Sequence, residues 1–577
     1  MKRASRLFPY LLIFAVTILL LLPQIVSKST IIGIDSVFHM NRFYDTAMQM
    51  KTGKYNYFLS VFGFQQSARM VNPLYGPLSA YFNGLLLIIG GSWFRYQLLS
   101  STIVLFLSGS SMYHLASRLN IDKFNSLVVA IIYMLSNLVM AWVVGEQFTG
   151  WGAALLPLLM ISGLDMAKNH RVKILLLAIP MTLLLQTHIM SSLIGACALV
   201  PFFLYGFCYS GNRKRMFLNA IIAVFITLAL TANVWGGMLE VYSNNKLLPV
   251  APQTEMASDS IAFFGKNVFV LNPLYSCIII FVIAYFIIFW KKITLISHVT
   301  FLNGMFFLWI SSCLFPWNTF YKLVPGIAYF IQMPRRFSVI AFILLILCFG
   351  MIMTETSKLK LVNGIKMILP FVVAILVFLQ GSTLIRQGVK AYQSPGVLYN
   401  DYNVHYQSYN NNRLRDSLRS MDVEYAIKAL TKATPDYLPI NYKVTPTNYF
   451  DYHPYGNYDD RVINNKLPLK RSVDNKGNLI MEFNNASDKV QTVELPVIKY
   501  HNTQIYVNDK LQNKVKTSHI GSVYLNLQPG ASFIKLKYEP ARWLTMLLWL
   551  TSFSWIILIG YLVIKFGVKG VKYYSKK

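Results

Sequence analysis

Asp35, His39 and Arg42 stand four and three residues apart in Gly33-Ile-Asp-Ser-Val-Phe-His-Met-Asn-Arg-Phe-Tyr-Asp45, just after the first hydrophobic run of the chain. On a helix over residues 36 to 50, His39 lies one turn beyond Asp35 and Arg42 one turn beyond His39, while Val37, Met40 and Tyr44 fall elsewhere. An acid, an imidazole and a guanidinium then share one edge, a set suited to proton removal and anion binding. The plainer reading, an amphipathic interfacial helix whose charges only face water, weighs as much until the rest of the chain is read.

Three further groups carry chemistry. Glu146 is a second acid beside an apolar run, and an acid at mid-bilayer costs about 2.5 to 3.5 kcal/mol, so acids near hydrocarbon are usually paired or functional. Two carboxyls could remove a proton from a sugar hydroxyl while another group holds the acceptor or a metal. The structural alternatives are an N-terminal acid on the following helix for Glu146 and a helix N-cap for Asp35. His188 ends Leu183-Leu-Leu-Gln-Thr-His188, where a lone histidine is more often hydrogen-bonded structure than a ligand. Asp35, His39, Glu146 and His188 together could bind a divalent ion; ligand spacing does not carry across loops, so no cofactor is assigned and a metal stays an open question. Arg335 and Arg336 form an adjacent pair suited to bidentate hydrogen bonds with a phosphate; snorkelling anchors are the alternative.

These groups need a scaffold, and composition says which kind. Of 577 residues, 55% are hydrophobic and only 13% charged, so the chain is an integral membrane protein. The formal charge of +30 gathers at the ends of apolar runs, as the positive-inside rule and anionic lipid require, and nucleic acid is not implied. Cys197, Cys208, Cys277, Cys313 and Cys348 all lie in apolar runs at no metal-ligand spacing.

Basic residues at both ends (Lys2, Arg3, Arg6; Lys565, Lys569, Lys572, Lys576, Lys577) place both termini in the cytoplasm. The internal basic clusters at 168–173, 213–215, 291–292 and 358–366 then fix the register of about twelve spans. These are 7–26, 96–117, 125–144, 148–164, 174–189, 191–208, 216–236, 269–290, 294–314, 337–354, 364–384 and 543–564. Residues 74 to 91 are apolar enough to cross, but a thirteenth crossing would put the basic tail outside, so they are expected as a juxtamembrane or re-entrant helix. The first loop (27–95), Glu146, His188, the 237–268 and 315–336 loops and the 386–541 region all fall on the extracytoplasmic side. The cytoplasmic loops carry no phosphate-cradling pattern, so any chemistry is expected outside, away from nucleotide sugars and ATP.

The chain divides into a multi-span domain (1–385), an extracytoplasmic domain (386–541) and a last span with a basic tail (542–577). In the second, residues 411 to 432 read as a helix. Alternating runs at 479–483, 491–495, 504–507, 522–527 and 533–538, with turn residues between them, predict a small β-sandwich.

Several short motifs in order carry a resemblance: Gly33-Ile-Asp-Ser-Val-Phe-His39, Asn72-Pro-Leu-Tyr-Gly-Pro-Leu-Ser79, Gly145-Glu-Gln147, Thr187-His188, Phe315-Pro-Trp317, Gln332-Met-Pro-Arg-Arg336, Tyr437-Leu-Pro439 and Leu495-Pro496. Together they resemble the bacterial 6-pyruvoyl-tetrahydropterin synthase-related membrane proteins, whose name implies no pterin chemistry, and more loosely the GT-C-fold glycosyltransferases that use polyprenyl-phosphate sugars. One departure stands out: Arg335 occupies a position where an aromatic residue is expected before the arginine. The resemblance implies a polytopic enzyme of the bacterial cytoplasmic membrane that moves a sugar from a polyprenyl-phosphate donor to a cell-envelope glycan or lipid acceptor. Asp35 would be the essential acid of the first loop and Glu146 the second. Arg335 or Arg336 would steady the departing phosphate, with His39, Arg42, Tyr75, Gln147, His188, Trp317 and Gln332 as substrate contacts. The competing classes are a transporter or flippase for lipid-linked glycans, which needs charges deep in several spans, and a non-catalytic assembly factor.

Overall fold

The computed structural model describes residues 4–265, 269–357, 365–407 and 410–574. The basic markers Lys2, Arg3, Lys358, Lys360, Lys576 and Lys577 lie outside them. The chain is mostly helical, with a β-rich region before the last helix, Arg542–Tyr574.

Among the described residues eight helices are long and apolar enough to cross a membrane, or ten if two bent pairs each make one span. One pair, Lys123–Met134 and Asn137–Gly145, bends by 46°; the other, Arg213–Leu230 and Ala232–Asn244, bends by 64°. Ile174–Thr187 and Leu295–Ser311, expected as the spans 174–189 and 294–314, have 14 and 17 residues and fall short of that test. The first of them stops where His188 turns to extended backbone. Pro77–Gly90 is likewise 14 residues, about 21 Å against a hydrocarbon core of about 30 Å, and packs along the helix Ser36–Thr52. Around them, Trp93–Arg118 packs on both Lys123–Met134 and Thr149–Asn169, and one continuous apolar core joins these helices to Ser338–Ser357.

The helix Ser36–Thr52 is enclosed by protein. Thirteen of its 17 residues are buried, polar ones included, so its charges do not simply face water.

The predicted helix over 411–432 is broken. Asn411–Arg419 ends at Ser420, Asp422 caps a second helix by accepting from the Glu424 N–H at 3.1 Å, and Leu430–Lys432 pairs as a strand with Val404–Tyr406. The expected boundary at 385 falls inside a helix that runs from Ile365 to Gln393.

All five alternating runs are strands, in two antiparallel sheets. The larger has the order Lys470–Val473, Leu479–Asn485, Gly530–Tyr538, Thr503–Val507, Lys510–Leu511; the smaller has Gln491–Ile498, Ser522–Leu527, Lys516–Thr517. Met481, Ile505 and Leu536 of one sheet share a core with Leu495, Val523 and Leu525 of the other, as a sandwich requires. That core continues into Phe58, Leu59 and Met70 of the first loop, so the β-rich region is joined to that loop by packing. Backbone bonds tie them as well: the Ile498 N–H donates to the Ser67 carbonyl at 2.8 Å, and the Met70 N–H to the Tyr500 hydroxyl at 3.0 Å.

Glu240 fastens the same region to the helices. Fully buried, it accepts from Asn502 Nδ2 (2.7 Å), the Ala541 N–H (3.0 Å) and the Tyr538 hydroxyl (3.3 Å). Glu240→Ala leaves these donors without an acceptor and is expected to destabilise the protein by about 1–3 kcal/mol, read as a lower unfolding temperature in detergent. An unchanged unfolding temperature contradicts this anchoring role.

Candidate functional site

Gly33 lets the first loop close on the segment that carries Glu146. A Cβ there would lie 2.2 Å from the Val144 carbonyl oxygen and 2.4 Å from Gly145 Cα, so only glycine fits this approach. The Asp35 N–H then donates to the Gly145 carbonyl at 3.1 Å. Asp35 takes the N-cap position of the helix Ser36–Thr52, yet its carboxylate makes no capping bond. It faces a cavity of about 460 Å³ instead.

Six of the residues singled out from sequence line that one cavity: Asp35, Tyr75, Gln147, His188, Arg335 and Arg336. They come from five separate stretches of the chain, and apolar side chains such as Leu138, Leu271 and Phe342 complete the walls. Gly76 is a second required glycine: at φ +81°, its Cβ position is 2.7 Å from the Gln186 carbonyl oxygen, which holds the Tyr75 turn against the helix end bearing His188. The His188 ring bonds the Ser191 hydroxyl through Nδ1 at 2.8 Å.

The two arginines differ. Arg335 pairs with Asp259 at 2.8 Å and lies over the Phe269 ring, 3.7 Å from its centroid. The aromatic partner missing from the motif is therefore supplied by another loop, and most of this guanidinium's charge is answered by protein. Arg336 bonds the Ile331 carbonyl at 3.2 Å and Gln332 Oε1 at 3.3 Å, while its buried Nε has no partner among the described residues. It lies within electrostatic reach of Asp35.

The other sequence candidates support the cavity from behind. Arg42 is fully buried and bonds Asn72 Oδ1 (3.2 Å) and the Tyr75 and Gly76 carbonyls (3.0 and 3.3 Å), so it shapes the Tyr75 turn. His39 is fully buried among Phe38, Phe43, Tyr75 and Phe148; burial and the Arg42 charge hold it neutral, well below the usual histidine range. Gln332 spans Arg336 and the Ala251 carbonyl. Trp317 donates to the Ile310 carbonyl at 2.9 Å and stacks on Phe337, beside the arginine pair.

Glu146 is also behind the wall. It is the left-handed C-cap of Asn137–Gly145 (φ 52°), not an acid in the first turn of the next helix, Thr149–Asn169. One carboxyl oxygen accepts from Gln97 Nε2 at 3.1 Å; the other has no partner among the described residues. Burial pushes the Glu146 carboxyl up to about 8, against the lowering effect of Gln97, and the neighbouring Asp35 raises it further. Asp35 is raised by burial to about 6, with Lys432 and Arg336 working against the rise. Near neutral pH the proton stays on Glu146 and the negative charge falls mostly on Asp35.

Among the described residues no three His, Cys, Asp or Glu side chains gather as metal ligands. Asp35, His39, Glu146 and His188 are not such a group: Asp35 and His188 line the cavity, and His39 and Glu146 are not in its lining.

Lys432, whose Nζ donates to the Ile34 carbonyl, is a charged neighbour of Asp35 that pattern reading missed, as is Asp259 beside Arg335. Both arrive from distant loops, where spacing carries no signal. A comparison with protein-family models returns no match, and a comparison with curated proteins returns none.

The ionisation of Glu146 is directly testable. An unfolded glutamate loses its proton near pH 4.3, whereas the folded one keeps it up to about 8. The folded state therefore binds more protons across that interval, and stability is expected to fall as pH rises through it. Between about pH 6 and pH 9 the wild-type unfolding temperature should decline, and Glu146→Gln should flatten the decline. A parallel decline in the variant contradicts the assignment.

Proposed function

We propose that the chain is a membrane glycosyltransferase that moves a sugar from a polyprenyl-phosphate donor to a cell-envelope acceptor on the extracytoplasmic face, with about twelve spans. The observation that carries this reading is the meeting, in one cavity with apolar walls, of Asp35, whose carboxylate has no hydrogen-bond partner among the described residues, and Arg336, whose guanidinium is incompletely bonded there. Such a cavity suits a substrate that is lipid at one end and charged at the other.

In this reading Arg336 holds the phosphate of the donor and stabilises the charge that develops as the sugar leaves. Arg335, already paired with Asp259, aligns it. Asp35 accepts the proton of the acceptor hydroxyl as the new glycosidic bond forms, and a carboxyl raised to about 6 is still mostly ionised at neutral pH. Glu146, being neutral, keeps a second negative charge away from the phosphate. Arg42 and His39 act through the Tyr75 turn as positioning residues.

In a strain deleted for this protein, surface glycans are expected to lose one sugar, restored by the wild-type chain. At matched membrane levels, Asp35→Asn should lower its incorporation by about 10²–10⁴-fold. Arg336→Gln should lower it by about 10²–10³-fold. Full restoration by Asp35→Asn would remove the acid from the chemistry and favour transport or assembly.

A further inference from the structure

The turn Pro435-Asp436-Tyr437-Leu438 is held by hydrogen bonds to its backbone and by the buried Leu438 side chain. Arg69, fully buried, donates to the Thr434 and Asp436 carbonyls; the Tyr437 N–H donates to the Leu248 carbonyl at 2.9 Å, and the Tyr437 carbonyl accepts from the Tyr500 hydroxyl at 3.1 Å. Tyr437 is fixed at φ +66°, a left-handed conformation that costs a bulky side chain of order 1–3 kcal/mol. These main-chain anchors and a strained aromatic residue hold the two side chains in place.

Among the described residues neither the Asp436 carboxylate nor the Tyr437 hydroxyl makes a hydrogen bond, although both sit deep in the molecule and keep some open surface. Asp35 and Tyr75 share this condition: no described residue bonds the Asp35 carboxylate or the Tyr75 hydroxyl, and both line the cavity. Asp436 is within electrostatic reach of Asp35 and Lys432, and Tyr437 of Tyr75. Four polar tips without hydrogen-bond partners among the described residues are therefore brought near one another from two parts of the chain.

Charge decides what could satisfy them. Asp436 has Arg69 and Lys432 in reach and Asp35 has Lys432 and Arg336, so neither acid needs a further cation. Among the described residues no donor bonds either carboxylate, and both keep open surface through which a ligand can donate. A neutral ligand rich in hydroxyls supplies donors without adding charge, and tyrosine rings offer faces to the apolar side of a sugar.

We propose that Asp436 and Tyr437, with Asp35 and Tyr75 opposite, form an acceptor subsite adjoining the cavity, and that its occupant is a neutral carbohydrate held through its hydroxyls. This rests on the transferase reading for the word acceptor, but the binding site stands on the side chains alone. Asp436 accepts hydrogen bonds from ring hydroxyls, and the strained turn keeps it in place for them. The β-rich region is then part of the binding site.

The test labels the purified full-length chain in detergent with dicyclohexylcarbodiimide near pH 6, where both acids are partly protonated, and reads modified peptides by mass spectrometry. Asp436 and Asp35 are expected to react, and the methyl glycosides of glucose, galactose, mannose and rhamnose are tried in turn as protectants. Protection of Asp436 by at least one of them, and its loss in Tyr437→Ala, supports the subsite. No modification of Asp436, or modification that no glycoside reduces, overturns it. In the deletion strain, Asp436→Asn at matched membrane levels is expected to lower sugar incorporation about tenfold or more, the worth of one hydrogen bond to a charged group. Full restoration by that variant overturns the subsite and leaves the transferase reading intact. An unchanged glycan profile in the deletion strain overturns the transferase reading, and protection then decides the subsite alone.

Discussion

A helix buried on nearly every side while carrying Asn41, Arg42, Asp45, Thr46 and Gln49 can persist only if each polar group finds a partner inside the protein. Those partners are the loops around it. Asp45 accepts from the Phe62 and Gly63 N–H groups at 2.7 and 3.0 Å, Asn41 accepts from the Phe64 N–H at 2.8 Å, Arg42 holds the Tyr75 and Gly76 carbonyls, and Thr46 donates to the Ala80 carbonyl at 2.9 Å. Satisfying this one helix fixes the whole course of the chain from 60 to 80. It thereby sets the turn that presents Tyr75 and the floor on which the β-rich region rests. Burial raises the Asp45 carboxyl to about 6 even with these donors, which shows how far the helix lies from water.

The same economy of charge governs the cavity. The Asp35 carboxyl raises the proton affinity of Glu146, which burial already raises, whereas Lys432 and Arg336 favour the ionised form of Asp35, so Glu146 keeps its proton. Two arginines stand side by side, and the one with an acid to hand, Arg335, is satisfied by it. What faces the open space is one carboxylate and one guanidinium whose hydrogen bonding is incomplete, a combination that protein interiors do not keep without use.

Much of this was legible in the sequence because it is periodic or local. The apolar runs gave the positions of the helices, the period-two runs gave all five main strands, and charge placement singled out Asp35 and the arginine pair. Length did not follow as well: Ile174–Thr187 and Leu295–Ser311 read as spans by hydropathy but are short, because His188 and the Ser312 turn end them early. The helix read over 411–432 failed since Asp422 prefers to cap a new helix, a local signal that could have been weighed. Which side of a helix points inward was the harder matter. His39 and Arg42 share an edge with Asp35 as their spacing says, but that edge turns from the cavity within one turn, and only the packing of Phe148 and Tyr75 decides it. Lys432, Asp436 and Asp259 were invisible to pattern because their importance comes from loops brought together by tertiary structure alone.

The central claim, that the cavity bounded by Asp35 and Arg336 receives a lipid-linked phosphate, is tested most directly by native mass spectrometry of the detergent-released full-length chain titrated with a polyprenyl phosphate. The account predicts saturable binding to the wild type, weakened at least about tenfold by Arg336→Gln and unchanged by Arg419→Gln, whose guanidinium instead bonds the Ser27 and Lys28 carbonyls. Equal binding by the wild type and Arg336→Gln would contradict it.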